Sequence, residues 1–265
     1  MTPNPSMDPS VTSGRPSRRT FLQMLSGATL ALAGCGKGPT EISNGSARLD
    51  TSPTAPTTSL AAGTWPLNLA TGRDGYLLVP ASYQSAVATP LLVLLHGAGG
   101  SGADMLGYRA ADAEREGILA LAVDSRSSTW DAMRGPYGVD VAFIADALDF
   151  AFSRCRVDPN RIILEGFSDG ASYALGLGLA NGDLFTHVVA FSPGFIPSFD
   201  GNPVGTPAFF IAHGTADTIL PIDQTSRQIV PYLRDQGYEV QYVEHSLGHV
   251  ISAAVAAEAL AWSLS

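Results

Sequence analysis

The pentapeptide Gly166-Phe167-Ser168-Asp169-Gly170 places one serine between two glycines, directly after the segment 161–165 with its apolar residues 162–164. A serine can attack a carbonyl carbon from a sharp turn between a strand and a helix, and such a turn accepts only small residues two positions before and after it. The apolar run predicts the strand, and residues 171–177 predict a buried helix. We therefore predict that Ser168 is a nucleophile. The alternative is an ordinary turn in which this serine caps the helix.

A nucleophilic serine needs a base and an acidic residue that orients the base. Downstream, one apolar run is followed by Asp217, and a second run ends near His245 and His249. His245 would be held by the strand that precedes it, whereas His249 lies in the following loop and can reach back. We therefore predict His249 as the base and Asp217 as the acceptor of its Nδ1–H. His187, at the start of another apolar run, is predicted to be structural.

A glycine-rich loop upstream of the serine could bind a developing oxyanion. It consists of His96-Gly97-Ala98-Gly99-Gly100 and follows the apolar residues 91–95, which predict a strand buried on both faces. Glycines allow the backbone to approach a substrate closely and to point an N–H at its carbonyl oxygen. We predict the N–H groups of Ala98 and Asp169 as the two donors, and His96 as a brace for the loop. The alternative is a glycine-rich turn without a catalytic role.

The order Ser168, Asp217, His249 resembles that of the α/β-hydrolases, in particular the single-domain bacterial carboxylesterase/phospholipase-like and polyhydroxyalkanoate-depolymerase-like esterases. The resemblance implies a hydrolase of carboxylic esters, from small molecules or polymers, that works through an acyl-enzyme. Together the matching segments span nearly all of residues 64–265. Besides the two glycine-containing motifs above, they are Asp124-Ser125-Arg126, Trp130-Asp131, Val157-Asp158-Pro159-Asn160-Arg161, His213-Gly214-Thr215-Ala216-Asp217 and Gly248-His249.

Two positions depart from the usual pattern of these esterases. Asp169 stands where glutamine or a small residue is usual, and Ala171 stands where a second glycine is usual. A carboxylate beside the forming oxyanion would oppose catalysis if it pointed inward. Pointed outward at a helix N-terminus, the same charge is favourable by about 0.3 to 1 kcal/mol. We expect the outward orientation.

Strands and helices alternate along residues 63–265, which predicts an α/β fold with a mainly parallel sheet and helices on both faces. The segment between Phe191 and Pro207 is too short for a large cap domain, so an open cleft is expected. Pro231 should kink or restart the helix that contains it. Strands are predicted at 76–79, 91–95, 118–123, 161–164, 187–191, 208–212 and 238–243, and helices at 103–116, 139–153, 171–179, 223–236 and 251–263. Candidates to line the cleft, each equally compatible with core packing, are Met105, Tyr108, Trp130, Phe195 and Phe199.

Residues 1–34 resemble a twin-arginine-type lipoprotein signal peptide. Ser17-Arg18-Arg19-Thr20-Phe21-Leu22-Gln23 precedes an apolar stretch that is shorter than the roughly 20 residues needed to span a bilayer. Leu32-Ala33-Gly34-Cys35 resembles a lipobox, which implies cleavage and acylation of Cys35; the alternative is an ordinary signal peptide. The expected location is the bacterial cell envelope, after export across the inner membrane, with the lipid as sole anchor. Residues 35–62 are rich in Ser, Thr, Pro and Gly and predict a flexible tether.

Composition excludes several classes of function. The whole chain carries a net charge of −9, and without residues 1–34 it has 12 basic and 23 acidic residues, a net −11, which argues against a nucleic-acid partner. Cys155 would have no disulfide partner once Cys35 is acylated, and is predicted to be structural. The His and Asp residues lack metal-ligand spacing, so neither a metal nor a cofactor is predicted. Two other classes remain open, a serine exopeptidase and a non-catalytic binding lipoprotein, and oligomeric state is not predicted.

Overall fold

A computed structural model describes residues 45–265, in which eight strands form one sheet in the order β1-β2-β4-β3-β5-β6-β7-β8. Strands β1 and β2, and β2 and β4, pair antiparallel, and all other neighbours pair parallel. The strands are β1 (Gly63–Pro66), β2 (Gly75–Val79), β3 (Thr89–Leu95), β4 (Leu119–Val123), β5 (Val157–Phe167), β6 (His187–Phe191), β7 (Ala208–Gly214) and β8 (Val240–His245). The helices are α1 (Gly102–Glu116), α2 (Val139–Arg154), α3 (Asp169–Ala180), α4 (Ser226–Asp235) and α5 (Ala253–Leu264), with short 3-10 turns at Asp131–Met133 and Ile222–Gln224.

Helices cover both faces of the sheet, as predicted. Helices α2, α3 and α4 pack on one face and α1 and α5 on the other, so each face contributes its own hydrophobic cluster. Every residue of β3 is buried, because successive side chains of a strand point to opposite faces and both faces are covered. The carboxyl ends of the parallel strands meet at one edge of the sheet, and the loops that follow them form the site described below.

The structure departs most clearly from the sequence-based elements at three places. Strand β1 was not predicted, because all four of its residues are exposed and no apolar pattern marks it. Strand β5 begins at Val157, four residues before the predicted strand 161–164, and its register against β3 shifts between Thr89 and Leu91. The helix that contains Pro231 does not restart there: the chain leaves a 3-10 turn, α4 begins at Ser226, and Pro231 lies inside α4. The alternative, a kink at Pro231, stays a prediction.

Residues 45–60, which we call the N-terminal strap, pack against the domain. Ala47 is completely buried and Leu49 is 5% exposed, both within the core cluster on the α2, α3 and α4 face. The Leu49 N–H donates to Oδ1 of Asn181 at the end of α3, over 2.8 Å. The prediction of a flexible tether through residue 62 is therefore wrong for this stretch. The strap is rich in Ser, Thr and Pro, and this composition does not reveal that two of its apolar side chains are buried against the domain.

The predicted signal peptide (residues 1–34), the predicted lipidation site Cys35 and the first part of the predicted tether lie outside the described residues. No helix within residues 45–265 is long and apolar enough to cross a membrane. Cys155 follows α2 and is buried as a free thiol. Burial raises its pKa to about 11, so it stays protonated and unreactive at neutral pH.

Candidate active site

Ser168 joins β5 to α3 in a backbone conformation that few non-glycine residues adopt. Its φ is 56° and its ψ is −118°, and its N–H donates to the carbonyl oxygen of Phe191 over 2.9 Å. The two flanking glycines are required, because a Cβ on Gly166 would lie 2.2 Å from the Gly170 carbonyl oxygen, and one on Gly170 would lie 2.4 Å from that of Leu95. The strained turn leaves the serine 9% exposed at the carboxyl edge of the sheet.

The side chains of Ser168, His249 and Asp217 form one continuous hydrogen-bonded chain. Nε2 of His249 lies 2.9 Å from Oγ of Ser168, and Nδ1 of His249 lies 2.6 Å from Oδ2 of Asp217. An ionised carboxylate only accepts, so Nδ1–H of His249 donates to it. This tautomer leaves Nε2 free to accept the serine proton, which is the geometry needed for base-assisted nucleophilic attack.

The Asp217 side chain is fully buried and yet held as a carboxylate. Its Oδ1 accepts the N–H groups of Ile219 at 2.9 Å and Leu220 at 2.8 Å. Burial alone would raise its pKa, but the N–H of Leu220 and the His249 imidazole outweigh burial, so the pKa of Asp217 lies below its usual range. A fixed negative charge therefore faces the imidazole of His249.

A second buried histidine, His213 at the end of β7, also contacts Asp217. Its Nε2 lies 2.8 Å from the Leu220 carbonyl oxygen, which can only accept, and 3.2 Å from Oδ2 of Asp217. The other ring nitrogen accepts from Oγ of Ser226 over 2.7 Å, and burial lowers the pKa of His213. From the sequence, His213 is recognised only as part of a matching segment. Its place directly after the predicted apolar strand 208–212 was the available signal.

The two other histidines considered from the sequence lie elsewhere. His245 is the last residue of β8, and its buried Nδ1 finds no hydrogen-bond partner within residues 45–265. His187 contacts the edge of Trp262 with ring centroids 5.0 Å apart, and its Nδ1 lies 3.0 Å from Oγ1 of Thr186. The structure thus places His249, and neither of these two, against Ser168. In this described part of the chain, no group of three or more His, Cys, Asp or Glu side chains could hold a metal ion.

The glycine-rich loop after β3 lies directly against the nucleophile and is braced by His96. A Cβ on Gly97 would lie 3.3 Å from Cβ of Ser168. Nδ1–H of His96 donates to the Gly97 carbonyl over 2.6 Å, and its Nε2 accepts the N–H of Ser125 over 2.9 Å. Burial lowers the pKa of His96, so the ring remains neutral. Arg73 adds a bond of 2.8 Å to the Gly100 carbonyl oxygen.

The N–H groups predicted to bind an oxyanion are those of Ala98 and Asp169. The N–H groups of Gly99 and Gly100 are already used, by the carbonyls of Ser128 at 2.6 Å and Gly97 at 3.0 Å. No hydrogen bond from the Ala98 N–H is found within residues 45–265. Asp169 opens α3, and the first N–H groups of a helix have no partner inside it. Both groups are therefore available to a substrate oxygen.

Two of the residues considered for the cleft belong to the core instead. Met105 is 2% exposed and Trp130 is 1% exposed. The Trp130 ring lies between those of His96 and Tyr173, with centroids 4.9 and 5.1 Å away, and its Nε1–H donates to the His96 carbonyl over 2.8 Å. Trp130 therefore supports the glycine-rich loop from below. Of the others, Tyr108 is exposed on α1, and Phe195 and Phe199 are half-buried.

Comparison with known sequences relates the chain to esterases. Residues 142–259 match the family model described as Phospholipase/Carboxylesterase. NocK of Nocardia uniformis subsp. tsuyamanensis, a protein named as an esterase, is 31% identical over 148 residues, which are 52% of this chain and 42% of NocK. A protein of Aspergillus terreus named as a feruloyl esterase C is 25% identical over 227 residues, which are 82% of this chain and 74% of that protein. The match thus spans less than half the length of NocK.

Comparison with solved structures gives the fold. FphF, a fluorophosphonate-binding serine hydrolase of Staphylococcus aureus, superposes with a TM-score of 0.60 at 16% sequence identity, over 78% of this chain and 100% of FphF. The segment between β6 and β7 contains no helix, so the described residues include no large cap there, as predicted. Sheet order, elbow and structural likeness together show that the chain has an α/β-hydrolase fold, and the sequence relatives reported above are named as esterases.

Proposed function

We propose that this protein is a serine hydrolase that cleaves carboxylic esters through an acyl-enzyme. The observation that carries the proposal is the continuous chain from Oγ of Ser168 through His249 to Asp217, with bonds of 2.9 and 2.6 Å. Its Ser168 end lies beside the two backbone N–H groups, of Ala98 and Asp169, that can hold an oxyanion. The phospholipase/carboxylesterase match and the relatives named as esterases support esters as the substrate class.

In the proposed first half-reaction, Nε2 of His249 takes the proton of Ser168 as Oγ attacks the ester carbonyl carbon. The carbonyl oxygen becomes an oxyanion and accepts the N–H groups of Ala98 and Asp169. Each such donor contributes about 3 to 4 kcal/mol to the transition state, or 10² to 10³ in rate. The imidazolium, stabilised by the Asp217 carboxylate, then protonates the departing alcohol, and the acyl group remains on Ser168.

In the second half-reaction, water replaces the alcohol. His249 removes a proton from the water as its oxygen attacks the acyl carbon, and the same two N–H groups hold the second oxyanion. Collapse of that intermediate breaks the bond to Oγ, which takes its proton back from His249, and the carboxylic acid leaves. No cofactor enters either half-reaction. The substrates we propose are small-molecule or polymer-derived esters, and the A. terreus relative named as a feruloyl esterase makes a ferulate ester one substrate to test.

The test is hydrolysis of p-nitrophenyl esters from acetate to palmitate, and of methyl ferulate, by the purified protein beside Ser168→Ala. Replacement of Ser168 should lower kcat by a factor on the order of 10⁶, because loss of the nucleophile disables the whole unit. Ser85→Ala, at an exposed serine in a turn, is the matched control and should retain full activity. Equal rates for wild type and Ser168→Ala, or faster cleavage of matched amides than of esters, would contradict the proposal.

We further propose that the enzyme works at the bacterial cell envelope, anchored through an acylated Cys35. The support is the twin-arginine pattern at residues 17–23 followed by the lipobox-like Leu32-Ala33-Gly34-Cys35. In a bacterial host that processes lipoproteins, the wild type should fractionate with membranes and Cys35→Ser should not. Cys155→Ala removes the other cysteine and should stay membrane-bound. Recovery of the wild type in the soluble fraction would show that the lipid anchor is absent.

A further inference from the structure

Three consecutive residues in the loop between β4 and α2, Ser128-Thr129-Trp130, contact both halves of the proposed oxyanion hole. We call this segment the oxyanion brace. Thr129 is 4% exposed and Trp130 is 1% exposed, so these two residues of the brace are buried beneath the site, whereas Ser128 is exposed. Its contacts are the Ser128 carbonyl with the Gly99 N–H at 2.6 Å, the Thr129 hydroxyl with Oδ2 of Asp169 at 2.5 Å, and Nε1–H of Trp130 with the His96 carbonyl at 2.8 Å.

Thr129 forms its hydrogen bond with Asp169, the residue of the nucleophile motif that departs from the usual esterase pattern. Asp169 supplies one oxyanion donor through its N–H, but it also carries a carboxylate within a side chain's length of that donor. A negative charge turned toward the oxyanion would repel it, and the repulsion grows where water is excluded. An ionised carboxylate has no proton to donate, so the Thr129 hydroxyl must be the donor in this bond. A separation of 2.5 Å lies within the range of hydroxyl-to-carboxylate bonds.

The backbone also favours the observed orientation without fixing it. Asp169 is the first residue of α3, where the free N–H groups and the helix dipole favour a negative charge. The helix dipole would stabilise the carboxylate equally well if its side chain turned toward the substrate oxygen, because the oxyanion lies at the same N-terminus of α3. Orientation therefore depends on a specific partner, and the partner is the buried hydroxyl of Thr129.

We propose that Thr129 is a positioning residue of the oxyanion hole. Its hydroxyl holds the Asp169 carboxylate away from the developing oxyanion, which leaves the Asp169 N–H free to donate to that oxyanion. The inference rests on the proposed esterase function. It explains how this chain can carry an aspartate directly after its nucleophile, and it predicts that Thr129 affects the rate of reaction.

The test is a double-mutant cycle on the full-length protein with p-nitrophenyl acetate, using wild type, Thr129→Val, Asp169→Asn and the double variant. Valine keeps the shape of threonine and removes the hydroxyl. Thr129→Val should lower kcat by about 10-fold to 100-fold, a part of what one oxyanion donor contributes, and should change KM by less than about twofold. In the Asp169→Asn background the same change should lower kcat by less than about threefold, because no charge remains to be held. Thr129→Ser keeps the hydroxyl and should recover most of the rate.

A purely structural role of Thr129 gives a different pattern. An equal loss of kcat in both backgrounds, or a rise in KM with kcat unchanged, would overturn the inference. If Thr129→Val does not fold by circular dichroism, the cycle is run with Thr129→Ala under the same two criteria. Thr129→Val as active as the wild type, with Ser168→Ala inactive, refutes this inference and leaves the proposed function standing. A wild type without esterase activity refutes both.

Discussion

The buried carboxylate of Asp217 faces four N–H donors that have different roles. Two backbone N–H groups on Oδ1 fix its position, and two imidazoles face Oδ2, His249 at 2.6 Å and His213 at 3.2 Å. Burial lowers the pKa of His213, and its Nε2–H is shared with a carbonyl, so this ring stays neutral. The charge of Asp217 is therefore left for the imidazolium that would form on His249 during the reaction.

We predict that the two histidines that competed in the sequence differ sharply when replaced. His249→Ala should lower kcat for p-nitrophenyl acetate by at least about 10³, because Ser168 loses its base and Asp217 loses the group it orients. His245→Ala should change kcat by less than about threefold, because its Nδ1 makes no hydrogen bond in the described structure. Steady-state kinetics of both variants measures the difference. A large loss with His245→Ala and a small one with His249→Ala would reverse the assignment.

The elements predictable from the sequence were those whose signal is local. Strand β3 and strand β6 are short apolar runs buried on both faces. The turn around Ser168 requires glycine at two positions, because a Cβ at either would clash with the neighbouring backbone. Strand β1 gave no such signal, because its exposed residues pair with β2 through the backbone alone. Pro231 does not restart the helix, because α4 continues through it from Ser226 to Asp235 without the one hydrogen bond that proline, which lacks an N–H, cannot donate.

The site was predictable to the same extent. Ser168, Asp217 and His249 each follow a recognisable strand, and the structure brings them within hydrogen-bond distance. The contacts that support them join loops far apart in the chain. Thr129 and Asp169 are one example and Trp130 under His96 is another, and neither has a sequence pattern, because packing between neighbouring loops decides which side chains meet. The composition of the strap predicted a flexible tether for the same reason. Leu49 is buried by contacts with helices more than 100 residues away in the chain, which composition does not reveal.

At the scale of the whole molecule, the folded domain includes the strap as well as residues 63–265. The strap runs along the face formed by α2, α3 and α4, from Asn181 at the end of α3 to Ser153 near the end of α2, where its Thr57 N–H donates over 2.9 Å. It adds Ala47 and Leu49 to that face's core. The strap is therefore part of the domain.

We predict that removing the whole strap destabilises the domain by more than any single substitution within the strap does. Leu49→Ala should lower the free energy of unfolding by about 2 to 4 kcal/mol, because a buried leucine is lost and a cavity remains. Arg48→Ala, which breaks a solvent-exposed pair with Asp183, should cost at most about 1 kcal/mol. The fragment 63–265 should be less stable than 45–265 by at least the Leu49 amount, since it loses that side chain, Ala47 and the bonds to Asn181 and Ser153. Urea unfolding of these four proteins measures the differences. Equal stability of the two fragments would restore the tether interpretation, whereas the graded series would show that the strap acts through its buried side chains and not through its charge.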